Sequence, residues 1–101
     1  MIDVIATIKI KPGRRGEFLA KFKANVPAVL AEQGCIHYYP TIDADSGIPA
    51  HAADPNSVTV VEQWQCLEAL HAHLAAPHMA VYRETVKDIV EGVSLKVLTK
   101  A

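Results

Sequence analysis

The chain has 101 residues, half of them hydrophobic and 21% charged, with a formal net charge of -1. This is an ordinary globular mix with enough apolar material for one core, so a single domain over residues 1–101 is expected. No Lys/Arg cluster argues for nucleic acid as a partner, and no apolar run nears the roughly 20 residues that cross a bilayer.

The opening stretch places Ile2, Val4, Ala6, Ile8 and Ile10 on one face by strict alternation, which predicts a strand ended by Pro12-Gly13. Between Arg14 and Gln33, Phe18, Leu19, Phe22, Val26, Val29 and Leu30 fall at helical spacing. Gly34 stands where a left-handed C-cap belongs, and Pro27 is expected to kink or split the helix. "CIHYYPTI" is a second strand, rich in aromatic and β-branched residues. Residues 43–57 are turn formers almost throughout and predict a long loop. Its "DADSG" opening imitates a calcium loop but lacks the glycine at the sixth place and the glutamate at the twelfth, so it reads as a turn.

"VTVVEQWQ" is a third strand. Helical spacing returns at Leu67, Leu70, His71 and Leu74, and Pro77 breaks it in the manner of a first helical residue. Met79, Tyr82, Val86 and Ile89 or Val90 make the next stripe. Gly92 is expected to end that helix before a last strand, "VSLKVLT". The order is β-α-β-β-α-β, with the second helix in two pieces. It predicts an α+β, ferredoxin-like fold, with an antiparallel sheet and both helices on one face. Ile5 beside Val4 and Val61 beside Val60 make the strands apolar on both sides. The uncovered face is therefore expected to meet a second copy, sheet to sheet, in a homodimer. The N-terminus lacks the basic start and cleavage site of a secretory signal, so a cytoplasmic location with Cys35 and Cys66 as free thiols is expected.

Glu62 and Trp64 are two apart on a strand and share a face with Val58 and Val60. A carboxyl beside an indole on an apolar surface is disfavoured in its charged form and can accept a proton near neutral pH. A strand-end glutamate paired with a histidine, with Trp64 as core, fits the same residues. If the hairpin around the long loop pairs Cys35 with Cys66, then His37 faces Trp64 and Tyr39 faces Glu62; a slip of one residue would swap every face. His71 reads as a half-buried helical residue. His71 and His73 point in different directions, while His73 and His78 could converge across the Pro77 break. No converging ligand set is evident, so no metal is expected. Tyr38, Tyr39 and Tyr82 have polar tips that can reach a pocket. No nucleophile elbow, phosphate-binding glycine loop or CxxC occurs.

Several pieces resemble one family: the Glu-x-Gly-Cys turn at 32–35 into a Tyr-bearing strand, the Glu62-x-Trp64 strand end, and His73-Leu74 followed by Pro77-His78. In this order and spacing the chain resembles the antibiotic biosynthesis monooxygenase family, nearest its quinol monooxygenase-like members. The resemblance implies a sheet-to-sheet dimeric α+β barrel with a pocket between sheet and helices in each subunit. It implies a cofactor-independent monooxygenase: a small quinol or polyphenolic aromatic loses a proton and reacts with O2, without flavin, haem or metal. His73 would then transfer the proton, and Glu62 would orient it or act as the base. Trp64 and Tyr82 would form pocket wall, and His78, His37 and Tyr38 would join the substrate-binding set. The chain departs from the family pattern at Gln33, where a proline is usual, at Pro27, and in the length of the 43–57 loop. An isomerase or other proton-transfer enzyme on the same scaffold, and a non-catalytic dimer that binds a small aromatic, remain alternatives. Arg83 and Lys87, which would favour a phosphorylated substrate if they lined the pocket, are expected in solvent.

Overall fold

The computed structural model describes residues 1–101. Its elements are β1 (Ile2–Ile10), α1 (Arg15–Leu30), β2 (Cys35–Thr41), β3 (Ser57–Trp64), α2 (Leu67–Leu74), α3 (Pro77–Val86) and β4 (Val90–Leu98). The strands form one antiparallel sheet in the order β2-β3-β1-β4. This is the expected ferredoxin-like architecture, with the second helix divided at Pro77. The Cα envelope measures 37 × 35 × 19 Å, the thickness of one helical layer on one sheet. No helix is long and apolar enough to cross a membrane.

The core lies between these two layers. Val4, Ala6, Ile8 and Ile10 of β1 and Val58 and Val60 of β3 point into it, as alternation requires. Phe18, Phe22 and Val29 of α1, Leu70 of α2, and Met79 and Val86 of α3 close it from above. Burying side chains of this size stabilises by about 1.5–3 kcal/mol each before entropy is counted. Leu30 departs from the expected stripe and is exposed, since it lies about 100° round the helix from Val29, which takes the buried place in that turn.

Pro27 does not split α1, which runs unbroken to Leu30. The proline sits near the end of the helix on an exposed flank, and Lys23, whose carbonyl loses the Pro27 bond, is exposed to water. Gly34 is not the C-cap, because Ala31 ends the helix in a right-handed conformation. Gly34 instead turns the chain into β2 at φ 86°. A Cβ there would lie 2.6 Å from the Cβ of Ala69. Glycine is therefore required twice, by the backbone sign and by the closeness of α2. Gly92 does not end a helix either. It lies inside β4, next to a register shift opposite Lys9 and Ile10, where an extra residue bulges the strand.

The β2–β3 hairpin is one residue out of the expected register. Tyr38 faces Glu62, His37 faces Gln63, and Cys35 faces Trp64. An irregularity between Cys35 and His37 shifts the pairing, and the faces exchange accordingly. Cys35 and Cys66 are free, and no bridge joins them. The helices stop short of β4. Its Val93, Leu95 and Val97, which pair beside Ile8, Ala6 and Val4, stay about half exposed. The opposite face of the sheet, with Ile5, Tyr39 and Val61, is covered by no helix.

Candidate active site

β3 delivers Glu62 and Trp64 to the helical side of the sheet, and the shifted hairpin sets Tyr38 beside Glu62. Glu62 is 6% exposed. Its Oε1 accepts a hydrogen bond from Trp64 Nε1 at 2.9 Å. Burial raises its carboxyl above the ordinary glutamate range, partly offset by the Trp64 bond and by nearby His73. Burial also pushes the Tyr38 hydroxyl upward, and Glu62 adds to that rise. The Tyr82 hydroxyl is raised by burial too.

α2 carries His73 three residues after Leu70, and these two, not Leu70 and Leu74, are its buried face. Leu74 is largely exposed, and so is His71, which joins no site. His73 is 2% exposed and stacks at a tilt on Trp64, with ring centroids 4.7 Å apart. Its edge meets Tyr38 at 5.4 Å. Its Nδ1 lies 2.8 Å from Oε2 of Glu32.

Glu32 is the residue that reading the sequence missed. It stands in the turn between α1 and β2, two residues before Gly34. Because Gly34 lets that turn pack on Ala69, Glu32 reaches His73 one helical turn further along α2. The same Oε2 lies 3.1 Å from Nε2 of His78. Pro77 makes this possible: Ala76 before it is extended, as pre-proline residues prefer, and α3 restarts with His78 turned back toward Glu32. The Glu-x-Gly spacing was the available signal, but it reads as turn chemistry rather than as a carboxylate aimed inward.

A cavity of about 270 Å³ opens between the sheet and the helices. Phe22, Tyr38, Met79 and Tyr82 wall it, Glu62 and His73 supply its inner polar groups, and Val93 and Leu95 of β4 stand at its open side. Phe22 stacks on Tyr38 at 5.4 Å and meets Tyr82 edge-on at 5.8 Å, so the wall is an aromatic box. Arg83 also borders the cavity and donates from Nη2 to the Leu74 carbonyl at 2.8 Å. Lys87 pairs instead with Glu84.

Four of the seven residues expected at a site meet here: Glu62, His73, Tyr38 and Tyr82. Three do not. Trp64 is fully buried behind Glu62 and His73 and forms no cavity wall, because its indole fills the core beneath them. His78 borders an outer cleft of about 360 Å³ with Lys21, Asn25 and Tyr82, and its hydrogen bond runs to Glu32. His37 is exposed on the opposite face of the sheet, a consequence of the shifted register. No group of three or more His, Cys, Asp or Glu side chains is arranged to hold a metal.

A family model described as antibiotic biosynthesis monooxygenase matches residues 1–85. The probable quinol monooxygenase YgiN of Escherichia coli K12 is 39% identical over 100 residues, which cover 97% of this chain and 96% of that protein. Among solved structures, PA3566 from Pseudomonas aeruginosa superposes with a TM-score of 0.82 at 24% identity, covering 99% of this chain and 93% of its own. Rv0793 from Mycobacterium tuberculosis gives 0.80 at 26% identity, covering 99% and 94%. With a family model over most of its length and so similar a relative, the chain belongs to the antibiotic biosynthesis monooxygenase family and has a monooxygenase-type function.

Proposed function

We propose that this protein is a cofactor-independent monooxygenase for a small quinol or polyphenolic aromatic, working as a cytoplasmic homodimer. The observation that carries the reading is the aromatic-walled cavity with Glu62 and His73 at its inner end. Its size suits one or two fused rings, and its composition suits an aromatic guest with few polar contacts. The 39% identity to a probable quinol monooxygenase along nearly the whole chain supports the same substrate class.

The chemistry asks little of the protein. His73 Nε2 takes the proton of a phenolic hydroxyl, and the resulting phenolate is the electron donor. One electron passes to O2, the two radicals join at a ring carbon, and the hydroperoxide loses water. For a quinol the sum is quinol plus O2 to hydroxyquinone plus water, so the substrate supplies all the electrons. Glu62 lies next to His73 and orients the guest hydroxyl or relays the proton. Tyr38 and Tyr82 pack on the ring. The apolar wall keeps water from the intermediate.

The homodimer reading rests on the sheet face opposite the helices, where Ile5, Tyr39 and Val61 have no helix above them. The free thiols of Cys35 and Cys66 fit a reducing cytoplasm. A second reading, a proton-transfer enzyme acting on an anionic substrate, is favoured by one observation, the Arg83 guanidinium at the cavity edge. Oxygen consumption separates the two. With a chelator present and a panel of quinols offered, uptake of one O2 per quinol supports the monooxygenase. Substrate conversion without uptake supports the other.

A further inference from the structure

Two imidazoles on two different helices address a single oxygen, Oε2 of Glu32: Nδ1 of His73 at 2.8 Å and Nε2 of His78 at 3.1 Å. A carboxylate offers only lone pairs, so each nitrogen that faces it carries the proton. Both tautomers follow. In the neutral ring His73 carries its proton on Nδ1, which leaves Nε2 as a bare acceptor on a ring that lines the cavity. His78 is protonated on Nε2, which leaves Nδ1 as a lone pair. That Nδ1 is buried without a partner, and an unmet acceptor is the better tolerated kind of orphan.

We infer that Glu32 is a positioning residue. Its carboxylate, steadied by His78, holds His73 in the one tautomer that presents a proton acceptor to the cavity. The inference rests on the proposed role of His73 as base, and it decides which ring nitrogen plays that role. An oriented imidazole of this kind needs a third group behind it, and here the third group is shared. Neither Glu32 nor His78 lines the cavity, so the support stands behind His73. Two donors from α2 and α3 on one oxygen also restrain a side chain that would otherwise sample several rotamers. The separations are those of direct hydrogen bonds between the three groups.

The test is nitrogen NMR of the full chain with labelled histidine at neutral pH, joined to oxygen uptake. The expected wild-type spectrum shows His73 as the Nδ1–H tautomer. Glu32→Leu is close in size and leaves neither imidazole an acceptor. It is expected to move His73 toward the Nε2–H form and to lower kcat by roughly 10²- to 10⁴-fold, the range general-base catalysis contributes, with KM little changed. Glu32→Asp is expected to restore part of the rate. His78→Gln keeps an N–H donor toward Glu32 and is expected to preserve the His73 tautomer. A wild-type neutral His73 protonated on Nε2 overturns the inference, whether or not Glu32→Leu folds. So does a folded Glu32→Leu variant with an unchanged His73 tautomer or unchanged kcat. A wild-type protein that takes up no oxygen with any quinol defeats the proposed function alone, because the spectrum still reads the link from Glu32 to His73.

Discussion

Replacing Glu62 by glutamine, and separately by leucine, divides the cost of burying its charge from the value of its bond to Trp64. Trp64 is fully buried, and its Nε1–H has Glu62 Oε1 as partner at 2.9 Å. Glutamine keeps an oxygen in that place; leucine leaves the indole N–H without an acceptor, a loss of about 1–3 kcal/mol. The charge acts in the other direction. Burial, the largest influence, lifts the Glu62 carboxyl above its ordinary value of 4.5, and the Trp64 bond and His73 only partly counter it. A carboxyl raised in the folded state holds its proton more tightly there than in the unfolded chain. Its contribution to stability is full below 4.5 and is lost as pH rises through the folded value. Glu62→Gln should therefore match or exceed wild type in stability at pH 7, with the comparison turning toward wild type at pH 4. Glu62→Leu should fall below Glu62→Gln by about 1–3 kcal/mol at pH 7. Urea unfolding at both pH values reads these differences, at one protein concentration because association would add to stability. A Glu62→Gln protein clearly weaker than wild type at pH 7, with the gap closing at pH 4, would refute the reasoning. It would mean that the charged carboxylate is favoured by its surroundings.

Gly34→Ala should destabilise by about 2 kcal/mol or more, from the left-handed backbone and the contact with Ala69 together, and thermal unfolding measures it. Adding Ala69→Gly should recover only the contact's share. Burial first, then Glu32 and Glu62, push the Cys35 thiol up to about 11, while Cys66 is exposed. A thiol-disulfide reagent at pH 8 should therefore modify one cysteine per chain quickly, and Cys66→Ser should abolish that fast phase. Val61→Asp places a charge on the half-buried outer sheet face without touching the cavity. If two copies meet there, sedimentation should show wild type at twice the mass of the 11.0 kDa chain and the variant at once that mass; equal masses for both would discard the sheet-to-sheet dimer.

The gap between what local pattern conveys and what it omits is clearest at three places. β1 and the inner half of β3 were legible because a two-residue period has one physical reading when one face is covered. The register of β2 was not, because the irregularity between Cys35 and His37 leaves no mark in residue type. With it went the placement of His37, a surface residue, and of Tyr38, a cavity residue. Proline and glycine marked breaks in the chain without saying which kind. Pro27 was absorbed into a solvent-facing flank of α1, Pro77 divided α2 from α3, and Gly92 joined a bulged strand.

By itself the sequence determined the α+β order of elements, the apolar faces, and the chemical types at the site: an acid and an indole on one strand, and imidazoles on the helix after it. These depend on neighbours close in the chain, where spacing and torsional preference decide. Only the tertiary structure decided that Glu32, 41 residues before His73, stands behind it, and that Trp64 lies under the cavity rather than beside it. Those outcomes depend on how closely the turn at Gly34 approaches α2. That distance is set by packing between segments remote in sequence, which no local period encodes.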